Sequence, residues 1–61
     1  MSVADTHEDS LGTWEVDSKN DKFIRKDAEG QINGEAPFDW VAADTQPQPD
    51  WFKEKLAELQ A

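Results

Sequence analysis

The first side chains that could do chemistry are one histidine and two carboxylates near the start of the sequence. His7 is the only histidine of the 61-residue chain, and Asp5 and Asp9 flank it. An imidazole between carboxylates could bind a transition-metal ion, but such a site normally needs further His or Cys ligands. The sequence holds no Cys and no second His. We therefore expect an exposed imidazole at His7 and no metal site there.

A calcium loop is the second candidate, because oxygen ligands are abundant. The stretch from Arg25 to Ala36 can be aligned with a helix–loop–helix calcium loop so that Gly30 takes the turn position and Asn33 the ninth position. The same alignment puts Arg25 at the first ligand position and Ala36 where a bidentate Glu is needed. Those two positions matter most for binding, so the sequence favours an ordinary turn. We predict no metal and no cofactor.

Catalytic groups are scarce elsewhere. The sequence contains no Cys and no Tyr, and it has no glycine-rich phosphate-binding loop. Carboxylates are plentiful, but acid–base catalysis requires a desolvated cleft that shifts the pKa of one of them. A chain of 61 residues has little room to build such a cleft. The sequence therefore predicts a protein that is not an enzyme.

Length and composition place the chain at the border between folded and disordered proteins. A domain of this size buries only about 60% of its unfolded surface and is marginally stable without support. Leu, Ile, Val and Phe supply 11 of the 61 residues, and the net charge is -8. That combination is typical of disorder. The 3 Trp and 3 Phe residues oppose it. We expect a chain that folds weakly alone or firmly on a partner.

Composition, charge and hydropathy indicate the cellular compartment and the classes of ligand. The lack of Cys fits a reducing compartment, no secretory signal opens the sequence, and no apolar run approaches the roughly 20 residues that span a bilayer. The acidic balance argues against anionic membrane surfaces and nucleic acid as direct ligands. We predict a cytoplasmic, soluble protein with no membrane insertion.

The pattern of residues predicts one α+β domain with four parts. Residues 1–11 are expected to be an acidic polar arm, and residues 12–36 a small antiparallel β-meander. Residues 37–49 form an aromatic and Pro-containing segment. We expect that segment to be extended, although Pro37 could also start a helical turn or two. Residues 50–61 are predicted to be a C-terminal amphipathic helix.

Two of these parts have explicit local signals. In the meander, Trp14 and Val16 alternate with polar residues, and the adjacent Phe23 and Ile24 of a second strand must point to opposite faces. At least one face of that strand therefore needs cover from the helix or a partner. In the C-terminal helix, Asp50 is the expected N-cap. The apolar stripe of this helix contains Phe52, Leu56 and Leu59, with Trp51 beside it.

Aromatic and acidic side chains are the candidate binding residues. Trp and its neighbours dominate the energetics of many protein interfaces, so we expect some of the aromatic residues to contact a partner. The predicted partner-binding residues are Phe38, Trp40, Trp51, Phe52, Leu56 and Leu59. The predicted acidic surface consists of Glu35, Asp39, Asp44 and Asp50, which could face a basic surface.

The sequence thus favours a small acidic interaction protein. We expect it to dock on a larger protein or multi-subunit complex as an accessory subunit or regulator. The alternatives are an acidic inhibitor of the viral type that mimics nucleic acid, and a structural protein of a virion or other assembly. The sequence contains no family motif that decides between them.

Overall fold

A computed structural model describes residues 3–61 and shows an antiparallel sheet followed by two helices. The elements in chain order are β1 (Thr6–Asp9), β2 (Gly12–Asp17), β3 (Lys22–Lys26), β4 (Ile32–Pro37), α1 (Phe38–Ala43) and α2 (Asp50–Gln60). The four strands pair in sequence order, each antiparallel to the next. The α+β prediction and the antiparallel meander are therefore confirmed. No helix within residues 3–61 is long and apolar enough to cross a membrane.

The inner face of the sheet, which the helices cover, is built from alternate residues of β2 and β3. Trp14 and Val16 lie on this face, and Phe23 pairs with Val16 across the strands. Phe23 has no solvent-exposed surface and lies at the centre of the core. Its ring stacks on that of Phe52 from α2 at a centroid distance of 5.1 Å, while Trp14 meets Phe52 edge-on at 4.8 Å. Aromatic contacts between β2, β3 and α2 therefore hold the core together.

The outer face of the sheet carries charged side chains around one buried aliphatic residue. Ile24 lies between its cross-strand partners Glu15 and Glu35 and is buried. Lys26 forms an ion pair with Glu15 at 3.4 Å, and Lys22 forms one with Glu35. The aliphatic stems of these long side chains can cover Ile24 while their charged ends stay in water. Both faces of β3 are thus covered, as its sequence predicts for at least one of them. Helix α2 packs on Phe23, and charged side chains lie over Ile24.

The predicted N-terminal arm is wrong for residues 6–9, which form strand β1. His7 pairs with Trp14 of β2, and its ring stacks on that of Trp51 with centroids 5.7 Å apart. Asp9 closes the β1–β2 turn, because its carboxylate accepts hydrogen bonds from the backbone N–H groups of Leu11 and Gly12. These contacts make β1 the edge of the sheet although it is polar. Residues 1–2 of the predicted arm lie outside the described residues.

The expectation of an extended segment over residues 37–49 is wrong in its first half, where α1 forms. Pro37 sets the backbone just before the helix, and Asp39 lies in the first turn, where a carboxylate is favoured by the helix dipole. Val41 is almost completely buried and ties the short helix to the core. Asp44 ends α1 in the left-handed conformation with φ 52°. Residues 45–49 carry neither helix nor strand.

The predicted C-terminal helix is present as α2, with one correction at its start. Pro49 occupies the N-cap position, and no side chain caps the helix. Asp50 is instead the first helical residue, where its charge still lies in the favourable first turn. The backbone at Pro49 is extended, with φ −62° and ψ 146°. The helix therefore begins at Asp50, one residue earlier than it would if Asp50 were its N-cap.

Candidate partner-binding surface

Three of the predicted partner-binding residues lie in the core of the chain itself. Trp51, Phe52 and Leu56 are 7%, 3% and 6% exposed. The Trp51 ring contacts Phe23 at a centroid distance of 5.3 Å, so this indole fills the space between α2 and the sheet. The aromatic face of the sheet offers these side chains a place to pack without a partner. We therefore remove all three from the candidate binding surface.

The other three predicted residues keep apolar surface in contact with solvent. Trp40 is 37% exposed and Leu59 is 42% exposed, although both are large apolar side chains. Phe38 is half-buried, because one side of its ring rests on Phe23 with a centroid distance of 5.1 Å. The apolar stripe of α2 therefore divides: Leu56 packs inward, whereas Leu59 reaches the surface.

Phe38 and Leu59 line a common depression, which we call the Phe38 groove. It has a volume of about 590 Å³ and lies where the β2–β3 turn, the start of α1 and the end of α2 meet. Its lining residues are Ser18, Asn20, Asp21, Pro37, Phe38, Asp39, Leu59 and Gln60. The groove thus combines an apolar floor with two carboxylates. Trp40 lies outside this lining, next to Asp39 on α1.

A backbone hydrogen bond joins the β2–β3 turn to α1. Asp21 has a left-handed backbone with φ 55°, and its carbonyl O accepts a hydrogen bond of 2.9 Å from the N–H of Phe38. Within the same turn, the side-chain amide of Asn20 donates to the carboxylate of Asp17 over 2.9 Å, which lowers the pKa of Asp17. The groove wall is therefore fixed by the fold and is not a loose loop end.

The predicted acidic surface is only partly available to a partner. Glu35 pairs with Lys22, and Asp44 pairs with Lys53 at 2.7 Å. The hydrogen bond from Lys53 lowers the pKa of Asp44, with a smaller contribution from Gln48. Within residues 3–61, Asp39 and Asp50 form no ion pair, and both are exposed. Of the four residues of the predicted acidic surface, Asp39 and Asp50 are thus the two whose negative charge is not balanced by an ion pair in residues 3–61.

No basic side chain lines the Phe38 groove, although Lys19 stands between two of its lining residues in the β2–β3 turn. Five of the six basic residues form ion pairs elsewhere. A neighbouring depression between α1 and α2, of about 290 Å³, is different: its lining includes both members of the Asp44–Lys53 ion pair. The Phe38 groove is therefore the depression with uncompensated negative charge.

Helix α2 carries a buried lysine, Lys55. The ammonium group of Lys55 lies 2.8 Å from Glu58 and 3.2 Å from Asp5, and only 7% of its side chain is exposed. The hydrogen bond to Glu58 raises the pKa of Lys55, with Asp5 adding to the effect. These contacts fasten residues 3–5 onto α2. They stabilise the fold, because they enclose the ammonium group of Lys55 and leave it unavailable to a partner protein.

Asp21 is the residue of the candidate surface that sequence reasoning missed. The turn-forming composition of residues 17–21 was apparent, but its approach to Phe38 depends on the pairing of β3 with β4, whose register sets Lys22 opposite Pro37. Only the tertiary structure brings these residues together.

The two segments considered as metal sites from the sequence make other contacts in the structure. No group of three or more His, Cys, Asp or Glu side chains within residues 3–61 is arranged to hold a metal ion. His7 stacks on Trp51, and Asp9 binds the backbone of its own turn. The candidate calcium loop lies in the β3–β4 hairpin, with a turn at Asp27 to Gly30 closed by a 3.0 Å backbone hydrogen bond.

Comparison of the chain with protein-family models, with curated proteins and with solved structures found no match. A function for this chain therefore has to be inferred from its surface alone.

Proposed function

We propose that this chain is a non-enzymatic interaction protein that docks on a larger protein or complex as an accessory subunit or regulator. The docking surface would consist of the Phe38 groove together with Trp40. The observation that carries the proposal is the exposure of two large apolar side chains: Leu59, which lines a groove with unpaired carboxylates, and Trp40, which follows the lining residue Asp39 on α1. Large apolar side chains framed by polar residues are the usual anchors of protein interfaces.

The distribution of the other aromatic residues supports this choice of surface. Four aromatic residues belong to the internal core: Trp14, Phe23, Trp51 and Phe52. The chain therefore has a hydrophobic core without a partner. Trp40 is absent from that core cluster, so its large indole is not explained by internal packing alone. A surface Trp on the same short helix as the groove residues Phe38 and Asp39 suits a partner that presents both apolar and basic groups.

The proposed setting is cytoplasmic, and it rests on composition. The sequence contains no Cys, which suits a reducing compartment where disulfides would not form. The net charge of -8 opposes association with anionic membranes and nucleic acid, so a protein is the partner class that the charge favours.

Affinity capture with matched variants tests this function. The tagged chain, the Trp40→Ala/Leu59→Ser variant and a Leu11→Ser control would each be exposed to an extract of the producing cells. Leu11 is a fair control, because it is an apolar residue that is 61% exposed in the β1–β2 turn, away from the groove lining. The proposal expects a protein captured by the native chain and the control but lost by the double variant. A captured set that is the same for all three chains would contradict it.

A further inference from the structure

We propose that the Phe38 groove takes a Lys or Arg side chain of the partner, with its charged end between Asp21 and Asp39 and its aliphatic stem on Phe38 and Leu59. This inference rests on the proposed function and adds the chemistry of the occupant: a peptide segment in which a basic residue stands next to an apolar one. The groove combines the two surfaces that such a side chain requires.

The apolar part of the groove has the form of a shallow slot between elements. Phe38 rests on the core ring of Phe23 on one side and lines the groove with its remaining surface. Leu59 contributes from the last turn of α2, and Pro37 from the end of β4. A volume of about 590 Å³ is ample for one long side chain and the backbone that carries it. These apolar groups would cover the methylene groups of a bound side chain. By themselves they do not favour a side chain with a charged end.

The charges of the groove select a cation. Asp21 and Asp39 both line it, and neither forms an ion pair with any residue of 3–61. The ion pairs elsewhere in the described chain show what such a carboxylate does when a cation is near: Asp44 holds Lys53 at 2.7 Å. No Lys or Arg lines the Phe38 groove, so the corresponding cation would come from a partner. A partner with an acidic or purely apolar segment would leave both carboxylates unpaired.

The position of Asp21 gives the site a fixed geometry. Its carbonyl O is bound to the N–H of Phe38, so the backbone that bears the Asp21 carboxylate cannot move independently of the apolar floor. Asp39 follows Phe38 directly in the first turn of α1. The backbone at both residues is therefore joined to the same aromatic residue, so less backbone ordering is needed when a ligand binds.

The test selects short random peptides displayed on phage against the immobilised native chain. The peptides recovered are then synthesised, and their binding sites are mapped from changes in the amide NMR signals. The inference expects Lys or Arg beside an apolar residue in the selected peptides, and signal changes at residues 18–21, 37–39 and 59–60. Asp21→Asn/Asp39→Asn should weaken binding by about tenfold, the loss expected for two partly exposed ion pairs.

A second double variant controls for net charge. Glu29→Gln/Glu54→Gln also removes two exposed carboxylates without an ion pair in residues 3–61, and it should leave peptide binding unchanged. Equal losses in the two double variants would overturn the inference, since they would show a general charge effect. Selection of peptides without basic residues, or of none at all, would also overturn it. The proposed function is judged separately, by whether capture of the partner depends on Trp40.

Discussion

The indole N–H of Trp51 donates a hydrogen bond of 2.8 Å to the carbonyl O of Ala4, which joins the first turn of α2 to the segment before β1. This contact links residues that are 47 positions apart in the chain. It closes the fold on itself, because Val3 also donates its backbone N–H to Glu58 of the same helix over 2.6 Å. The helix that the sequence presents as an unpartnered stripe is thus held by the sheet below it and by the N-terminal segment beside it.

The packing of α2 predicts different effects for its two leucines. Leu56→Ala should destabilise the free chain by roughly 2–5 kcal/mol, the usual cost of deleting a buried aliphatic side chain. That approaches the whole stability of so small a domain. Leu59→Ala is the matched control and should change stability little, because Leu59 is at the surface. Urea unfolding followed by circular dichroism checks the pair, and equal effects would contradict the described packing.

The N-terminal segment should stabilise α2 although its own residues are few. Deleting residues 1–4 removes the acceptor for Trp51 and the backbone groups that bind Glu58 and Lys55. We expect a lower thermal midpoint and faster amide hydrogen exchange along α2. Deletion of the exposed Ala61 is the control at the other end. If exchange along α2 were unchanged by the N-terminal deletion, the contacts of residues 3–4 would be irrelevant to the fold.

Acid should weaken the contribution of Glu58. The hydrogen bond from Lys55, and then the backbone N–H of Val3, hold the pKa of Glu58 below its ordinary value of 4.5. A carboxyl group with a lowered folded-state pKa stabilises the fold above its unfolded pKa and loses that effect as the pH falls through the folded value. The stability lost in Glu58→Gln should therefore be largest near neutral pH and should shrink below pH 4.5.

Urea unfolding across a pH series measures this dependence. Glu54→Gln is the control, because Glu54 is an exposed carboxylate of the same helix without an ion pair in residues 3–61. A stability difference for Glu58→Gln that grew on acidification would have the wrong sign for the described geometry.

Gly12, the first residue of β2, and Gly30, in the β3–β4 turn, should respond differently to substitution by Ala. Both have positive φ, 152° at Gly12 and 83° at Gly30. A Cβ at Gly12 would overlap the backbone carbonyl O of Lys26, whereas one at Gly30 would meet nothing within 4 Å. Gly30→Ala should therefore cost only the backbone strain, about 1–2 kcal/mol, and Gly12→Ala distinctly more. Thermal unfolding of both variants checks the order, and a reversed order would contradict the close approach of β2 to Lys26.

Much of this fold could be predicted from the sequence where apolar residues repeat with a clear period. The alternation at Trp14 and Val16 indicated β2, and the stripe containing Phe52 and Leu56 indicated α2. Strand β1 was missed because its residues are polar and its pairing depends on β2 and on the turn at Asp9. For helix α1 the sequence left two alternatives open, an extended segment and a helical turn or two after Pro37, because 6 residues are too few for a helical period to stand out.

The candidate site was predicted less well, for a physical reason. An aromatic side chain is exposed when the core has no room for it. The sequence alone does not tell how much aromatic surface four strands and two helices can bury. Trp51 was absorbed and Trp40 was not, although both follow a Pro and an acidic residue at similar spacing. The carboxylate of Asp21 joined the site through the register of β3 and β4, which no local pattern encodes.

Salt dependence separates docking on a protein from mimicry of nucleic acid. A decoy that replaced 6–10 phosphate contacts would lose about 10³–10⁵ in affinity between roughly 50 and 200 mM salt. Docking through Trp40, Leu59 and two groove carboxylates should lose less than about tenfold over that range, since exposed ion pairs are weak and apolar contacts are not screened. Titration of the captured partner at several salt concentrations decides between the two.

Hydroxyl-radical footprinting of the chain, free and bound to its captured partner, tests the proposed docking surface most directly. The free chain exposes four large apolar side chains among its described residues: Leu11, Ile32, Trp40 and Leu59. On binding, Trp40 and Leu59 should become protected from oxidation, while Leu11 and Ile32 should remain as reactive as before. Protection of Leu11 and Ile32 with no change at Trp40 and Leu59 would contradict the proposal.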